Sequence, residues 1–372
     1  MRFIGVTFKA WAASLALMTF VPSVSAQQFQ NAVAYSTQAA SPVAVAAGDF
    51  NNDGRLDMVV QCSRVLDIFF ALQNGAFGKL VPTLTVGFEN SVAVADFNQD
   101  GNADVVTSNR YQDGEISVLL GNGDGTFLSN RQYLTGRRYT QAAAVADLNN
   151  DGIIDIVASN GGKKGSISVF LGKGDGTFQS PVTYAMSGAA RWVAIADFNG
   201  DGSADVAVTV GSGVRVLLGV GDGTFLPYVE YPARFSATNV SAADMNSDGR
   251  MDLVVASPAP GIISVLLGKG DGTFAPKKDT RAGALSLAVA DFNHDGNLDV
   301  VTLGCSDSCQ PGNAELLLGN GDGHFQPPTF YAAGDDPDAV MAADFSRDGF
   351  ADLAVADYTG SQASVLLNTG NQ

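Results

Sequence analysis

Short runs of small and apolar residues alternate along the whole chain, interrupted at near-regular intervals by Gly- and Asp-rich turns. Ser91-Val-Ala-Val-Ala95 and Ser286-Leu-Ala-Val-Ala290 alternate small with apolar residues, while Val105-Val106-Thr107 and Val254-Val255 are β-branched. Both patterns predict strands. A third run recurs as Ile116-Ser-Val-Leu-Leu120, Ile167-Ser-Val-Phe-Leu171 and Ile263-Ser-Val-Leu-Leu267. A fourth follows a second turn and carries a Tyr six residues after a Phe, at Tyr133, Tyr184, Tyr231 and Tyr331. Four short strands in a unit of about 50 residues, repeated seven times, predict an all-β fold, a seven-bladed β-propeller of four-stranded blades.

The two ends of the chain bear on closure. Phe29-Gln-Asn-Ala-Val-Ala-Tyr35 matches Phe178-Gln-Ser-Pro-Val-Thr-Tyr184, so the chain after residue 26 opens on a fourth strand. Leu366-Leu367-Asn-Thr-Gly-Asn-Gln372 stops after a third strand. The N-terminal strand is therefore expected to complete the last blade, which removes the largest open sheet edge.

The turn between the first and second strands is a nine-residue acidic loop in seven copies, spaced 47 to 53 residues apart. Oxygen-bearing side chains stand at loop positions 1, 3, 5 and 9, with Gly at 6. They are Asp49, Asn51, Asp53 and Asp57; Asp96, Asn98, Asp100 and Asp104; Asp147, Asn149, Asp151 and Asp155; and Asp197, Asn199, Asp201 and Asp205. The last three sets are Asp244, Asn246, Asp248 and Asp252; Asp291, Asn293, Asp295 and Asp299; and Asp344, Ser346, Asp348 and Asp352. Alternate residues can turn their oxygens inward, Gly permits the sharp turn, and a position-7 carbonyl can join them. That position is Arg55, Asn102, Ile153, Ser203, Arg250, Asn297 or Phe350. A hard cation, Ca2+, is the expected cofactor, at up to seven sites. Flanking strands distinguish these loops from EF-hands, which lie between helices and close with a carboxylate at position 12.

The turn between the third and fourth strands reads Gly121-Asn-Gly-Asp-Gly-Thr-Phe127. It recurs ending at Phe178, Phe225, Phe274 and Phe325, the last with His324 in place of Thr. These turns and the seven loops resemble the FG-GAP/VCBS repeat family, whose calcium-loop propellers include the head of integrin α subunits and some fungal lectins. The resemblance covers nearly the whole chain after residue 26. It implies calcium between the first two strands of each blade, held by the side chains at positions 1, 3, 5 and 9 and the backbone at 7. The seventh loop departs from the pattern, with Ser346 in place of Asn and Arg347 beside it, which puts that site in question. The first unit departs at its second turn, shortened to Gln73-Asn-Gly-Ala-Phe77.

Residues 1–26 read as a cleaved signal peptide: Arg2 and Lys9, an apolar stretch from Ala10 to Phe20, then Val24-Ser25-Ala26. The apolar run is too short for a membrane span. The propeller is expected over 27–372, secreted or periplasmic and monomeric. The formal charge of −17 reflects the loops, whose three aspartates apiece make up 21 of the 38 acidic residues. Bound divalent ions would offset most of it, so the acidity implies no cationic partner. No basic stripe supplies phosphate contacts, which argues against nucleic acid. The one basic cluster, Arg137-Arg138-Tyr139, reads as a solvated loop. Cys305 and Cys309 bracket an insertion and suit a local disulfide in an oxidising compartment, with two free thiols as the other reading. Cys62 reads as a small buried residue.

Chemistry that occurs once is hard to find. The paired aspartates repeat seven times, where a catalytic pair would occur once, and only His294 and His324 are present, both inside repeated turns. The Gly-Asp-Gly turns lack the following helix that would receive a phosphate. No catalytic residue is assigned. Function is expected where the repeats diverge, on the face opposite the loops: Asn109 to Glu115, Arg137 to Gln141, Arg191-Trp192, Phe235 to Asn239, Cys305 to Asn313 and Asp335 to Asp338. Trp192 stands where other blades carry Ser91, Ala142, Asn239, Ser286 or Ala339. With Arg191 and Tyr139 it could stack on a sugar or anchor a peptide, or it could fill the channel mouth. The expectation is a non-catalytic module that binds a glycan or an extracellular protein through Tyr139, Arg191, Trp192 and Asn239. The alternatives are a lyase-type polysaccharide-degrading enzyme on the same scaffold and a purely structural surface protein.

Overall fold

The computed structural model describes residues 28–85, 89–109, 114–259, 261–304 and 312–370. The signal-peptide segment and the Cys305–Cys309 pair lie outside them. Seven antiparallel sheets of four strands follow one another around a ring. The first blade is Ala44–Gly48, Asp57–Cys62, Val65–Ala71 and Phe77–Leu84, and the next five repeat its order. The seventh joins Pro337–Ala343, Asp352–Asp357 and Gln362–Leu366 to the N-terminal strand Val33–Ser36, in register from Val33↔Val365 to Ser36↔Gln362. The ring therefore closes as the chain ends foretell.

First strands of neighbouring blades pack on one another around the axis, which their alanine-rich sequences permit. Second strands are buried at every residue in all seven blades. They are paired on both edges and covered on both faces, so they read as nearly continuous apolar runs. Cys62, at the end of one of them, is buried with a free thiol.

Aromatic side chains join the blades. Phe97 and Tyr133 of the second blade meet Phe178 of the third edge to face, at centroid distances of 5.6 and 5.4 Å. Phe198 and Tyr231 hold Phe274 in the same way across the next-but-one interface. The repeated Tyr is packing on the neighbouring blade. Such contacts add about 0.5–1.5 kcal/mol each beyond area burial.

Each third strand carries a polar residue among largely buried neighbours, and in three blades that residue holds the inter-blade loop beside it. Asp67 accepts the Gln38 N–H at 2.7 Å, Ser168 donates to the Thr135 carbonyl at 2.9 Å, and Glu315 accepts the Gly283 N–H at 2.8 Å. In the last blade Ser364 donates to Asp357 at 2.7 Å. Asp357 is fully buried, and its second oxygen has no hydrogen-bond partner among the described residues. Burial, with Asp335 and Asp336 adding like charge, pushes its carboxyl up from 3.8 to about 6. Between these values the folded chain keeps a proton that the unfolded chain has lost, so this residue lowers stability as pH rises through the window. Asp357→Asn should therefore be more stable than the parent at pH 7.5, by up to about 3 kcal/mol, with the gap closing towards pH 4. Denaturant titrations of both proteins at the two pH values check this, and an equal gap at both would refute it.

Candidate functional site

The acidic loops and the Gly-Asp-Gly turns share one face of the ring. In the first loop the Asp53 N–H donates to both Asp49 Oδ1 and Asn51 Oδ1, at 3.1 and 3.0 Å, and the Gly54 N–H donates to Asp49 Oδ2 at 2.8 Å. The oxygens at positions 1 and 3 thus face one point inside the loop. Six loops share this geometry. The seventh does not: Asp348 N–H reaches Asp344, while Ser346 turns its hydroxyl to Asp344 and its N–H to Asp352. Arg55 and Arg250, at position 7, pair with the position-5 carboxylates Asp53 and Asp248.

Position 9 has a role that the ligand pattern does not reveal. Asp104 is fully buried and accepts two backbone N–H groups, from Phe97 at 2.8 Å and from Gly121 at 2.7 Å. It staples its loop to the turn that ends the third strand. Asp57, Asp155, Asp205, Asp252, Asp299 and Asp352 are bound likewise. Burial pushes these carboxyls up, to about 6 for all but Asp155, against the pull of the backbone N–H groups and with the position-5 carboxylate adding like charge. The turn also locks to the preceding blade, where the Gly125 N–H meets the Phe50 carbonyl at 2.8 Å. A Cβ at Gly125 would lie 2.0 Å from the Phe70 ring, which accounts for the glycine.

The donor set of the first six loops, three carboxylates, an amide oxygen and a backbone carbonyl, suits a hard cation and no thiophilic metal. Among the described residues no trio of carboxylate, imidazole or thiol side chains is drawn tightly enough to hold a metal unaided. An ion that prefers six to eight oxygens would need the Asn and the carbonyl as well.

The opposite face carries the other candidate. First strands slip register near their outer ends in four blades, between Glu89 and Ser91, Thr140 and Ala142, Ala190 and Val193, and Pro337 and Ala339. The residues so displaced are Asn90, Gln141, Arg191 with Trp192, and Asp338, and all five line the mouth of the central channel. Bulges of this kind re-aim side chains and free backbone groups that need partners. Hydroxyls of the second strands supply them. Ser159 accepts the Ala142 N–H at 3.1 Å and donates to the Arg191 carbonyl of the next blade, and Thr209 accepts the Trp192 N–H at 2.9 Å. The Asn90 amide donates to the Gln141 carbonyl at 2.8 Å.

The mouth encloses about 210 Å³, with Thr238, Asn239 and Ser286 completing its polar wall. Trp192 is half-buried and packs partly on the core between the fourth and fifth blades, so it lines the mouth and leaves it open. Beside it, between the third and fourth blades, lies a groove of about 410 Å³ that shares Gln141 and Arg191 with the mouth and includes Tyr139. Of the residues expected from the sequence, Arg191, Trp192 and Asn239 meet at the mouth, and Tyr139 stands in the groove. Phe235 is exposed and lines neither. Asn90, Gln141 and Asp338 were not singled out for this role, although Gln141 and Asp338 end divergent segments. Residues 110–113 and 305–311, within two other divergent segments, lie outside the described residues.

The family described as FG-GAP-like repeat matches residues 49–107, 96–158, 147–208, 197–255 and 244–302. No curated protein matches the chain. Among solved structures, an Agrocybe aegerita lectin described as specifically recognising non-reducing terminal N-acetylglucosamine is 20% identical, with a TM-score of 0.58 over 88% of this chain and 86% of that one. A chain from the structure of BBS1N in complex with ARL6DN is 10% identical, with a TM-score of 0.62 over 93% of this chain and 99% of that one. At these identities the likeness is one of fold.

Proposed function

The chain belongs to the FG-GAP-like repeat family, and from that premise we propose that it is a non-catalytic binding module which takes a glycan at the mouth of its channel. The observation that carries this reading is the set of four bulges, which bring Asn90, Gln141, Arg191, Trp192 and Asp338 from different blades to one hollow. Amides, a guanidinium, a carboxylate and an indole face make a wall that can hydrogen-bond hydroxyls and stack on a sugar ring. The lectin of similar fold supports a sugar, while the complex of the other relative keeps a protein partner as the second reading. Calcium in the loops would stiffen the opposite face by neutralising clustered carboxylates, with positions 1, 3, 5 and 9 as side-chain ligands. Residues 1–26 support export of the protein. Among the described residues no helix is long and apolar enough to cross a membrane.

A glycan array probed with the protein and with Trp192→Ala, in calcium and in chelator, tests the reading. Binding should weaken at least tenfold in the variant, about 1.4 kcal/mol. Its melting temperature must be recorded beside the binding, because Trp192 also packs on the core. Retention of full affinity would move the site away from the mouth, and an empty array would favour the protein partner.

A further inference from the structure

We propose that the groove between the third and fourth blades binds an acidic polysaccharide, with Arg191 pairing to a carboxylate or sulfate and Tyr139 covering the adjoining sugar ring. This rests on the glycan reading above and specifies the sugar.

The charge distribution points to an anion. The chain holds 38 acidic against 21 basic residues, yet the loops bordering this groove carry Arg137, Arg138, Lys163, Lys164 and Arg191. All five are exposed. None forms an ion pair among the described residues, whereas Arg55, Arg215, Arg234, Arg250 and Lys277 all do. The aspartate loops, with 21 of the 38 acidic residues, sit on the far face, so most of the acidity lies away from this groove. In sequence the five cations lie in three separate segments; the propeller brings those segments to one place.

The groove itself is built for a ring. Tyr139 is 46% exposed and holds a left-handed backbone, φ 63°, uncommon for a residue with a large side chain. It is pinned there because its carbonyl accepts the Gly161 N–H at 2.8 Å and the Gln141 amide at 3.2 Å. Gly161 and Gly162 form a floor without side chains; a Cβ at Gly162 would lie 3.7 Å from the Tyr139 ring. The same left-handed turn occurs at Ser41 and Ser236 ahead of other first strands, so it belongs to the fold; what sets this copy apart is that it presents an exposed aromatic ring in a groove lined by an unpaired guanidinium. The lining offers Ala189 and Ala190 as its aliphatic side chains, too little to seat the apolar side chain of a peptide. With Arg191 in the lining of a hollow of about 410 Å³ and Arg137, Arg138, Lys163 and Lys164 in the loops that supply Tyr139 and Gly162, the positive charge exceeds what one monosaccharide can meet, so the anion repeats along a chain. A planar guanidinium suits carboxylate and sulfate alike.

The test is calorimetric titration of the full-length protein with polygalacturonate, dextran sulfate, neutral dextran and polyglutamate, at low and at moderate salt. The uronate and sulfate arms distinguish the two anions, and polyglutamate is an anion without a sugar. At least one acidic polysaccharide should bind more tightly than dextran and polyglutamate, and more weakly as salt rises. Arg191→Gln and Tyr139→Gly should each lower that affinity tenfold or more; glycine accepts the positive φ, so the second variant removes the ring without straining the fold. Equal binding of polyglutamate, or no loss in Tyr139→Gly, would reduce the groove to a bare charged patch and overturn the proposal. Neutral glycans lost on Trp192→Ala with no acidic polysaccharide bound would overturn it while the channel-mouth reading stands. Failure to bind any glycan would overturn both.

Discussion

Removal of residues 28–36 should leave a protein that does not fold cooperatively. The strand Val33–Ser36 pairs with Gln362–Leu366 and is the seventh blade's outer strand. Phe29 is fully buried, with its ring edge-on to Phe292 at 5.6 Å and to Tyr331 at 5.1 Å, so it also binds the last blade to the sixth. Around it the Gln30 N–H donates to the Leu367 carbonyl at 2.8 Å, and the Thr369 N–H to the Gln28 carbonyl at 2.9 Å. Gln28 also donates to Asn368 Oδ1 at 3.1 Å and to the Phe292 carbonyl. Phe29→Ala alone should cost about 3–5 kcal/mol, a large part of the roughly 5–15 kcal/mol that holds a typical domain together. The deletion adds the loss of a strand and bares the edge of Gln362–Leu366, a template for pairing with other chains. Thermal melting and size-exclusion chromatography should show a broad early transition and large aggregates. A monomeric deletion variant melting within a few degrees of the parent would show that the other blades hold the ring without its closing strand.

Calcium should raise the melting temperature, and chelation should lower it by about 10 °C or more. Three aspartates in each loop place 21 carboxylates on one face, and the buried position-9 carboxyls are already pushed up by burial and by their position-5 neighbours. A divalent ion relieves that repulsion. Two sites filled at a hundredfold excess over their dissociation constant would contribute about 5 kcal/mol, and six loops share the favourable geometry. Magnesium should substitute poorly, because it demands a smaller and more regular oxygen shell. Asp244→Asn in the fifth loop should remove part of the shift, and Asp344→Asn in the seventh much less, since Ser346 breaks the shared geometry there. Calorimetry in calcium, magnesium and chelator decides the matter. Identical melts in all three would mean that hydrogen bonds between backbone and aspartate suffice to hold the loops.

Much of the architecture could be read directly from the residues because it is local and repeated. The alternation in Ser91–Ala95, the β-branched run after Asp104 and the Gly-Asp-Gly turns each depend on a few neighbouring residues, and seven repetitions let one unit confirm another. The closing strand was legible for the same reason, since Phe29–Tyr35 copies Phe178–Tyr184. The aromatic contacts between blades followed once the strands were placed. Position 9 was only half legible: its carboxylate suggested a ligand, while its burial and its bonds to Phe97 and Gly121 depend on a turn 17 residues onward.

By itself the sequence determined how many blades there are, the order of their strands and which face carries the acidic loops, because hydrogen-bonded turns and alternating burial are short-range. Only the tertiary structure decided what the other face presents. A bulge exists only relative to the strand it pairs with, so nothing within the run Ala190–Ala196 announces that Arg191 and Trp192 leave the ladder. The hydroxyls that hold it out, Ser159 and Thr209, belong to the preceding blade and to the next strand of its own. Likewise the run Arg137-Arg138-Tyr139, read along the chain as a solvated loop, supplies one wall of the groove because the ring sets Tyr139 beside Gly161, Gly162 and Arg191. Charges far apart along the chain act together only where packing makes them neighbours.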